Sequence, residues 1–184
     1  MEKESSKKIL TSKKEADDAQ FQVNDSTPEE ILSFKEWCKH EGRIEERTCR
    51  PTHEGKKLPN SEERKTITFK IPGYDEPVGK FTYFDHNPRN RSCEFGYVLN
   101  PKYRGKNLSA KMIGACIDHL FKDQGLNLNK LYCQTGSFNI PSVKTLEKLG
   151  MTRDAVLREH HELDGKFYDD YIYSILRSEW EKKQ

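Results

Sequence analysis

The hydrophobic positions follow two rhythms that switch near residue 100. Before it, apolar and polar side chains alternate. Ile67, Phe69 and Ile71 alternate with Thr66, Thr68 and Lys70. Phe81 and Tyr83 share a face between Val78 and Asp85, and Phe95, Tyr97 and Leu99 share one between Cys93 and Leu99. A period of two places alternate side chains on one face of a strand. Pro72-Gly73-Tyr74-Asp75 and Asn87-Pro88-Arg89-Asn90 supply turns, so these segments predict a three-stranded meander. In its last strand Glu94, Gly96 and Val98 fall opposite Phe95, Tyr97 and Leu99.

After residue 100 the period lengthens. Leu108, Met112, Cys116 and Leu120 recur in steps of four beside Ile113, Ile117 and Phe121, which predicts an amphipathic helix ending at Gly125. Leu131 to Thr135 predicts a strand. Pro141 opens a shorter helix with Val143, Leu146 and Leu149 inward, stopped by Gly150. Residues 151–163 and 167–177 predict two strands joined by Asp164-Gly165, a strong hairpin signal. Upstream, Phe21 and Val23 suggest a short strand. Ser26-Thr27-Pro28-Glu29-Glu30 has the hydroxyl cap, proline and acids of a helix start, followed by Ile31, Leu32, Phe34, Trp37 and Cys38 and an end near Gly42. Trp37 is expected in that helix's core, Trp180 against the terminal strand, and Cys133 as an inert buried thiol. The order of elements is mixed α/β (α+β). Residues 1–18, charged and poor in large apolar side chains, are expected as a flexible leader ahead of a single domain over 19–184, with a long loop at 43–63.

Composition narrows the class. With 184 residues, 33% hydrophobic and 34% charged, the chain suits one domain that needs no disulfide or metal staple. No apolar run reaches the ~18 residues of a membrane span, and no signal core precedes the domain. The 32 basic and 30 acidic residues are interspersed, leaving +2 and no footprint for nucleic acid. Five cysteines without a Cys-x-x-Cys argue for a reducing, cytoplasmic setting. His40, Cys49 and His53 have irregular spacing, and no metal is expected.

The chemistry concentrates between Tyr97 and Ser109. A strand gives way to the basic turn Lys102-Tyr103-Arg104-Gly105-Lys106-Asn107 and then to the long helix from Leu108. A helix N-terminus offers unpaired N–H groups and a partial positive charge, which suit a pyrophosphate. Gly105 permits close backbone approach, Asn107 tolerates positive φ, and Arg104 and Lys106 add charge. A plain strand-to-helix connection with solvated basic side chains has equal standing on these residues alone. The Gly-x-x-x-x-Gly-Lys-Ser/Thr, Gly-x-Gly-x-x-Gly and His-Glu-x-x-His patterns are absent.

Arg104-Gly105-Lys106-Asn107-Leu108-Ser109 resembles the acyl-CoA-binding loop of the GCN5-related N-acetyltransferase (GNAT) superfamily, Arg/Gln-x-x-Gly-x-Gly/Ala. Asn107 stands for the usual glycine and Ser109 for the small residue. Glu94-Phe95-Gly96-Tyr97-Val98-Leu99 resembles the strand before the loop. Asn139-Ile140-Pro141-Ser142 and Leu146-Glu147-Lys148-Leu149-Gly150-Met151 resemble later blocks, and Leu157-Arg158-Glu159 to Leu176 resembles the closing hairpin. The resemblance covers residues 64–180 and is nearest the ribosomal-protein alanine acetyltransferase branch.

The resemblance implies a mostly antiparallel mixed sheet flanked by helices and split in a V between two parallel strands, residues 94–99 and 131–135. It implies acetyl-CoA as cosubstrate in that V, held by Tyr97, Val98 and Leu99, by Arg104, Gly105, Lys106, Asn107, Leu108 and Ser109, and by Asn139 and Ser142. Backbone N–H near Val98 would stabilise the oxyanion. Ser142 would protonate the leaving thiolate, because the tyrosine many relatives carry four residues later is here Leu146; capping alone would also explain Asn139 and Ser142. The branch's candidate base, a glutamate, falls in register on His161, with Glu94 the alternative. Regular alternation would put Leu157, Glu159 and His161 on one face and His160 on the other. The expected reaction is direct transfer of acetyl to a primary amine, whether a protein N-terminus, an aminoglycoside or a polyamine. A non-catalytic acyl-CoA-binding or regulatory module is the alternative. No nucleic acid or membrane partner is expected, and a homodimer is left open.

Overall fold

The computed structural model describes residues 15, 18–37, 64–74 and 76–184. The loop expected at 43–63, the helix end near Gly42, the trio His40, Cys49 and His53, and all of the leader but Glu15 and Asp18 lie outside them.

Strand β1, Gln22–Asp25, leads into helix α1, Pro28–Trp37. Thr27 and Glu30 close the helix start reciprocally. The Thr27 N–H donates to Glu30 Oε2 at 3.0 Å, and the Glu30 N–H donates to Thr27 Oγ1 at 3.3 Å. The meander follows as β2 (Lys65–Lys70), β3 (Gly79–Asn87) and β4 (Ser92–Leu99). A single 3₁₀ turn, Pro101–Tyr103, precedes helix α2, Leu108–Lys122. Then come β5 (Lys130–Gly136), α3 (Ile140–Lys148), β6 (Thr152–Leu163), β7 (Lys166–Leu176) and the short helix α4 (Arg177–Glu181). Asp164 (φ 53°) and Gly165 (φ 76°) turn the last hairpin with both central residues left-handed, as the sequence predicts.

The seven strands form one sheet in the order β1-β2-β3-β4-β5-β7-β6. Its pairs are antiparallel except β4 and β5. One face carries Ile67, Phe69, Phe81, Phe95, Leu131, Cys133, Tyr173 and Ile175, which pack against Met112, Ile113, Cys116 and Ile117 of α2 and Leu146 of α3. The other face carries Thr68, Lys70 and Lys80 beneath α1. There Glu30 reaches Thr68 at 2.9 Å and Lys70 at 2.6 Å, and Lys80 lies over the Phe34 ring. Strand alternation thus gives the sheet an α2/α3 face and an α1 face. No helix among the described residues is long and apolar enough to cross a membrane.

Trp180, on α4, shares a buried cluster with Tyr173 and Ile175 of β7 and donates from Nε1 to Asp118 of α2 at 2.7 Å. Two expectations change. Ile31 and Leu32 of the α1 stripe are exposed, whereas Phe34 is buried and packs its ring on Trp37. In β6 the alternation breaks. Leu157 pairs with Asp170 and His161 with Tyr168, so three residues of β6 face one of β7. Glu159 takes φ 54° there, its N–H donating to Asp169 Oδ1 at 2.9 Å.

Candidate active site

The β4–β5 ladder covers three residue pairs, Ser92–Lys130, Cys93–Leu131 and Glu94–Tyr132. Beyond them β4 stays paired with β3 to Leu99, and β5 stays paired with β7 to Gly136. No ladder joins the two strands past Glu94, so the sheet opens there in a V.

Which backbone groups face the V follows from alternation. Along a strand, one residue directs both N–H and C=O to one neighbour and the next residue to the other. The Arg91 carbonyl accepts from the Lys130 N–H at 3.1 Å, which turns odd-numbered β4 residues toward β5. The Asn100 N–H donates to the Val78 carbonyl at 2.9 Å, which turns even-numbered ones toward β3. Tyr97 and Leu99 therefore present backbone groups to the V, and Val98 presents its own to β3. The donor anticipated near Val98 moves by one residue. On β5 the Lys130 bond and the Ser137 N–H to Asp169 carbonyl bond (2.8 Å) make Gln134 and Gly136 the residues facing the V.

The turn at the V's mouth is held from below. Tyr103 and Leu108 are fully buried with Ile71 and Val78, so the Leu108 side chain anchors the start of α2. Asn100 Oδ1 accepts from the Lys102 N–H at 3.1 Å, and its Nδ2 donates to the Pro77 carbonyl at 2.9 Å. Gly105 (φ 73°) and Asn107 (φ 60°) are both left-handed. Nothing lies within 4 Å of where a Cβ on Gly105 would stand, so glycine serves the dihedral and leaves the outer side of the turn open. Arg104 is extended, with its N–H on the Pro101 carbonyl. Lys106 folds back over the Tyr103 ring, its Nζ 3.3 Å from the Lys102 carbonyl. Asn107 Oδ1 accepts from Lys148 Nζ at 3.0 Å, and Ser109 Oγ lies 3.5 Å from Thr145 Oγ1. Both contacts tie the start of α2 to α3.

On α3, Asn139 caps the helix by accepting from the Ser142 N–H at 3.3 Å. The Ser142 hydroxyl is not a cap: its Oγ lies 2.7 Å from the Tyr97 phenol oxygen. This contact escaped the sequence, which placed Tyr97 on the correct face but not its partner. Leu146 is fully buried. Tyr173 of β7 steadies α3 by donating to Glu147 at 3.0 Å; burial, then this bond, pushes its phenol up to about 12.

Glu94, 5% exposed, lies at the V's apex, on the α1 face by its register with Phe84 and Tyr132. It and Ser142 therefore approach the sheet from opposite sides. A hollow of about 250 Å³ lined by Ser92, Lys130, Tyr132 and Ile172 adjoins this apex. His161 also belongs to the α1 side, through Tyr168 and Asp170, but not beside Glu94. Asp170 pairs with Gly136, two strands across from β4 and four residues (about 13 Å) further along. Asp170, 1% exposed, carried no distinguishing sequence signal; its carboxylate lies 3.4 Å from His161 Nε2.

A sheet split in a V, with a left-handed turn and a helix start at its mouth, is the arrangement that the resemblance to the GNAT superfamily implies. The chain belongs to the GNAT acetyltransferase family, whose domain profile matches residues 9–152. It is 31% identical over 87 residues to the uncharacterized N-acetyltransferase YnaD of Bacillus subtilis, covering 47% of this chain and 50% of that protein. It is 27% identical over 103 residues to a spermidine N(1)-acetyltransferase of Vibrio cholerae, covering 56% and 58%. The chain thus spans about half the length of the curated relatives it matches. Among solved structures, a variant of the spermidine/spermine N-acetyltransferase SpeG from Vibrio cholerae superposes with a TM-score of 0.70 at 17% identity, over 90% of this chain and 99% of that one.

Proposed function

We propose that the chain transfers the acetyl group of acetyl-CoA to a primary alkylamine, a polyamine or a peptide N-terminus, by direct attack. The observation that carries this reading is the V itself, with a hydroxyl pair on one face and a buried carboxylate on the other. The N–H groups at the start of α2 and the turn 104–109 bind the pyrophosphate. Pantetheine runs between β4 and β5, against the backbone of Tyr97, Leu99, Gln134 and Gly136. The neutral amine attacks the thioester carbonyl from the α1 face, and the tetrahedral oxyanion takes an N–H of β4. As the C–S bond breaks, the thiolate gains a proton from Ser142, which is resupplied by Tyr97, and Tyr97 in turn by water. Glu94 accepts the amine's proton through water. Tyr97 would thereby supply the phenol that many relatives carry at the place of Leu146. Spermidine stands first among acceptors because relatives act on it by name.

The test is release of CoA thiol by the full chain with spermidine, an alanyl peptide and an aminoglycoside, each with and without Glu94→Gln. Turnover on one or more of the alkylamines, reduced about 10²-fold by the substitution, is the expected result. Acetyl-CoA binding without turnover on any of them would favour the non-catalytic module. No CoA binding would remove both readings.

A further inference from the structure

We propose that His160, His161 and Asp170 form a binding site for a first-row transition-metal ion, with zinc the ion that their donors suit best. The sequence expected no metal, and adjacent strand residues ordinarily point to opposite faces. The β6 bulge removes that obstacle. With Glu159 left-handed, the two imidazole rings come to 5.1 Å between centroids at 87°, and ligand atoms of all three residues lie within 4.8 Å of one another.

The second observation is the state of the buried groups. Both carboxylate oxygens of Asp170 and Nε2 of His161 are buried without a hydrogen-bond partner. A buried carboxylate in that state is costly unless something compensates it. Their separation, 3.4 Å, is long for a hydrogen bond. It is close to the edge of a zinc tetrahedron, about 3.3 Å for Zn–N and Zn–O bonds near 2.0–2.1 Å. An ion bridging Asp170 and His161 would satisfy all of these atoms without moving the backbone. The His161 ring is already held edge-on by Phe138, 5.9 Å between centroids. His160 is exposed and swings in as the third ligand, leaving a fourth position for water or an exogenous group. Two imidazoles with one carboxylate select zinc and its neighbours over magnesium or calcium, which take oxygen donors. The proposal stands on this cluster alone and not on acetyl transfer.

The experiment is calorimetric titration of the chelator-stripped full chain with zinc and, separately, magnesium, repeated on His160→Ala and Asp170→Asn. His160 is at the surface, so its truncation leaves the fold intact. One zinc per chain at micromolar affinity or tighter is expected. Each substitution should weaken it at least about 10-fold, and magnesium should not bind. Cobalt in place of zinc should give the intense visible absorption of a four-coordinate site, lost in both variants. Zinc affinity unchanged in His160→Ala and Asp170→Asn, or no zinc bound below roughly 100 μM, far weaker than structural zinc sites, would overturn the proposal.

Discussion

Ser142 and Gly105 are the two residues on which the acetyl-transfer reading depends most directly, and they fail in different ways when changed. Ser142 Oγ sits 2.7 Å from the Tyr97 phenol, on a helix whose start is capped separately by Asn139. Removing the hydroxyl therefore removes a proton donor and leaves the cap. Ser142→Ala should lower kcat about 10²-fold, a usual share for an acid catalyst, with little change in KM for acetyl-CoA. Tyr97→Phe should fall in between, because Ser142 can still draw on water. Equal turnover in all three proteins, measured by thiol release, would reduce the pair to a structural contact. Gly105 acts through its φ of 73°. A β-branched side chain in that region costs roughly 1–3 kcal/mol and pushes the turn toward another conformation. Gly105→Val should weaken CoA binding at least tenfold by calorimetry while kcat at saturation changes less. Unchanged affinity would disconnect the turn from the cofactor.

Among the elements, α1 shows how a signal legible in the sequence turns into a tertiary joint. Ser26 to Glu30 announces a helix start, and the capping pair forms. Glu30 also crosses to β2, accepting from Thr68 Oγ1 at 2.9 Å and lying 2.6 Å from Lys70. Burial raises the Glu30 carboxyl, but the bonds from Lys70, the Thr27 N–H and Thr68 outweigh it, and the group is held below its ordinary value. A carboxylate so depressed stabilises the fold above its unfolded pKa, and that contribution disappears as pH falls through the folded value. Glu30→Ala should cost about 1–2 kcal/mol at neutral pH, mostly from the lost cap and bonds, since the partly exposed ion pair adds under ~1 kcal/mol. The gap should narrow as pH drops below about 4. Urea midpoints at pH 7 and pH 3.5 check this; a gap independent of pH would assign the effect to packing alone. Other elements were legible for similar local reasons: the Asp164-Gly165 hairpin, the left-handed Asn107, and the alternation that put Phe95, Tyr97 and Leu99 together. The β6 bulge was not, because Glu159 at φ 54° is set by the Asp169 carboxylate across the ladder, and glutamate carries no preference for that conformation. Asp170 and the Tyr97–Ser142 contact escaped for the same reason: periodicity assigns a face, and only the assembled sheet assigns a partner.

The molecule as a whole is a sheet with a gap at its centre, joined at the apex by three residue pairs and flanked by the β3–β4 ladder, regular from Glu94 to Leu99, and the β5–β7 ladder, regular from Lys130 to Gly136. Both halves share one apolar cluster with α2 and with Leu146 of α3, and Tyr173 of β7 adds a bond to Glu147 of α3. At the open end the halves are also tied by polar contacts, among them Tyr97–Ser142, Asn107–Lys148 and Ser109–Thr145. A ligand lying in the V would bridge the halves as an added strand, so its binding energy should appear as stability of the entire sheet. At a free CoA concentration one hundred times Kd, linkage raises the unfolding free energy by about 2.7 kcal/mol. For a chain of this size that corresponds to roughly 5–10 °C in Tm. Amide exchange should resolve where the bridge lies. Val98 already directs its N–H to β3 and should change little, whereas Leu99 and Gln134, which direct theirs to the V, should slow markedly when CoA is present. Protection that rises at Val98 as much as at Leu99 would mean CoA only tightens the existing ladder. A Tm that does not move with CoA would mean that the V holds no such ligand.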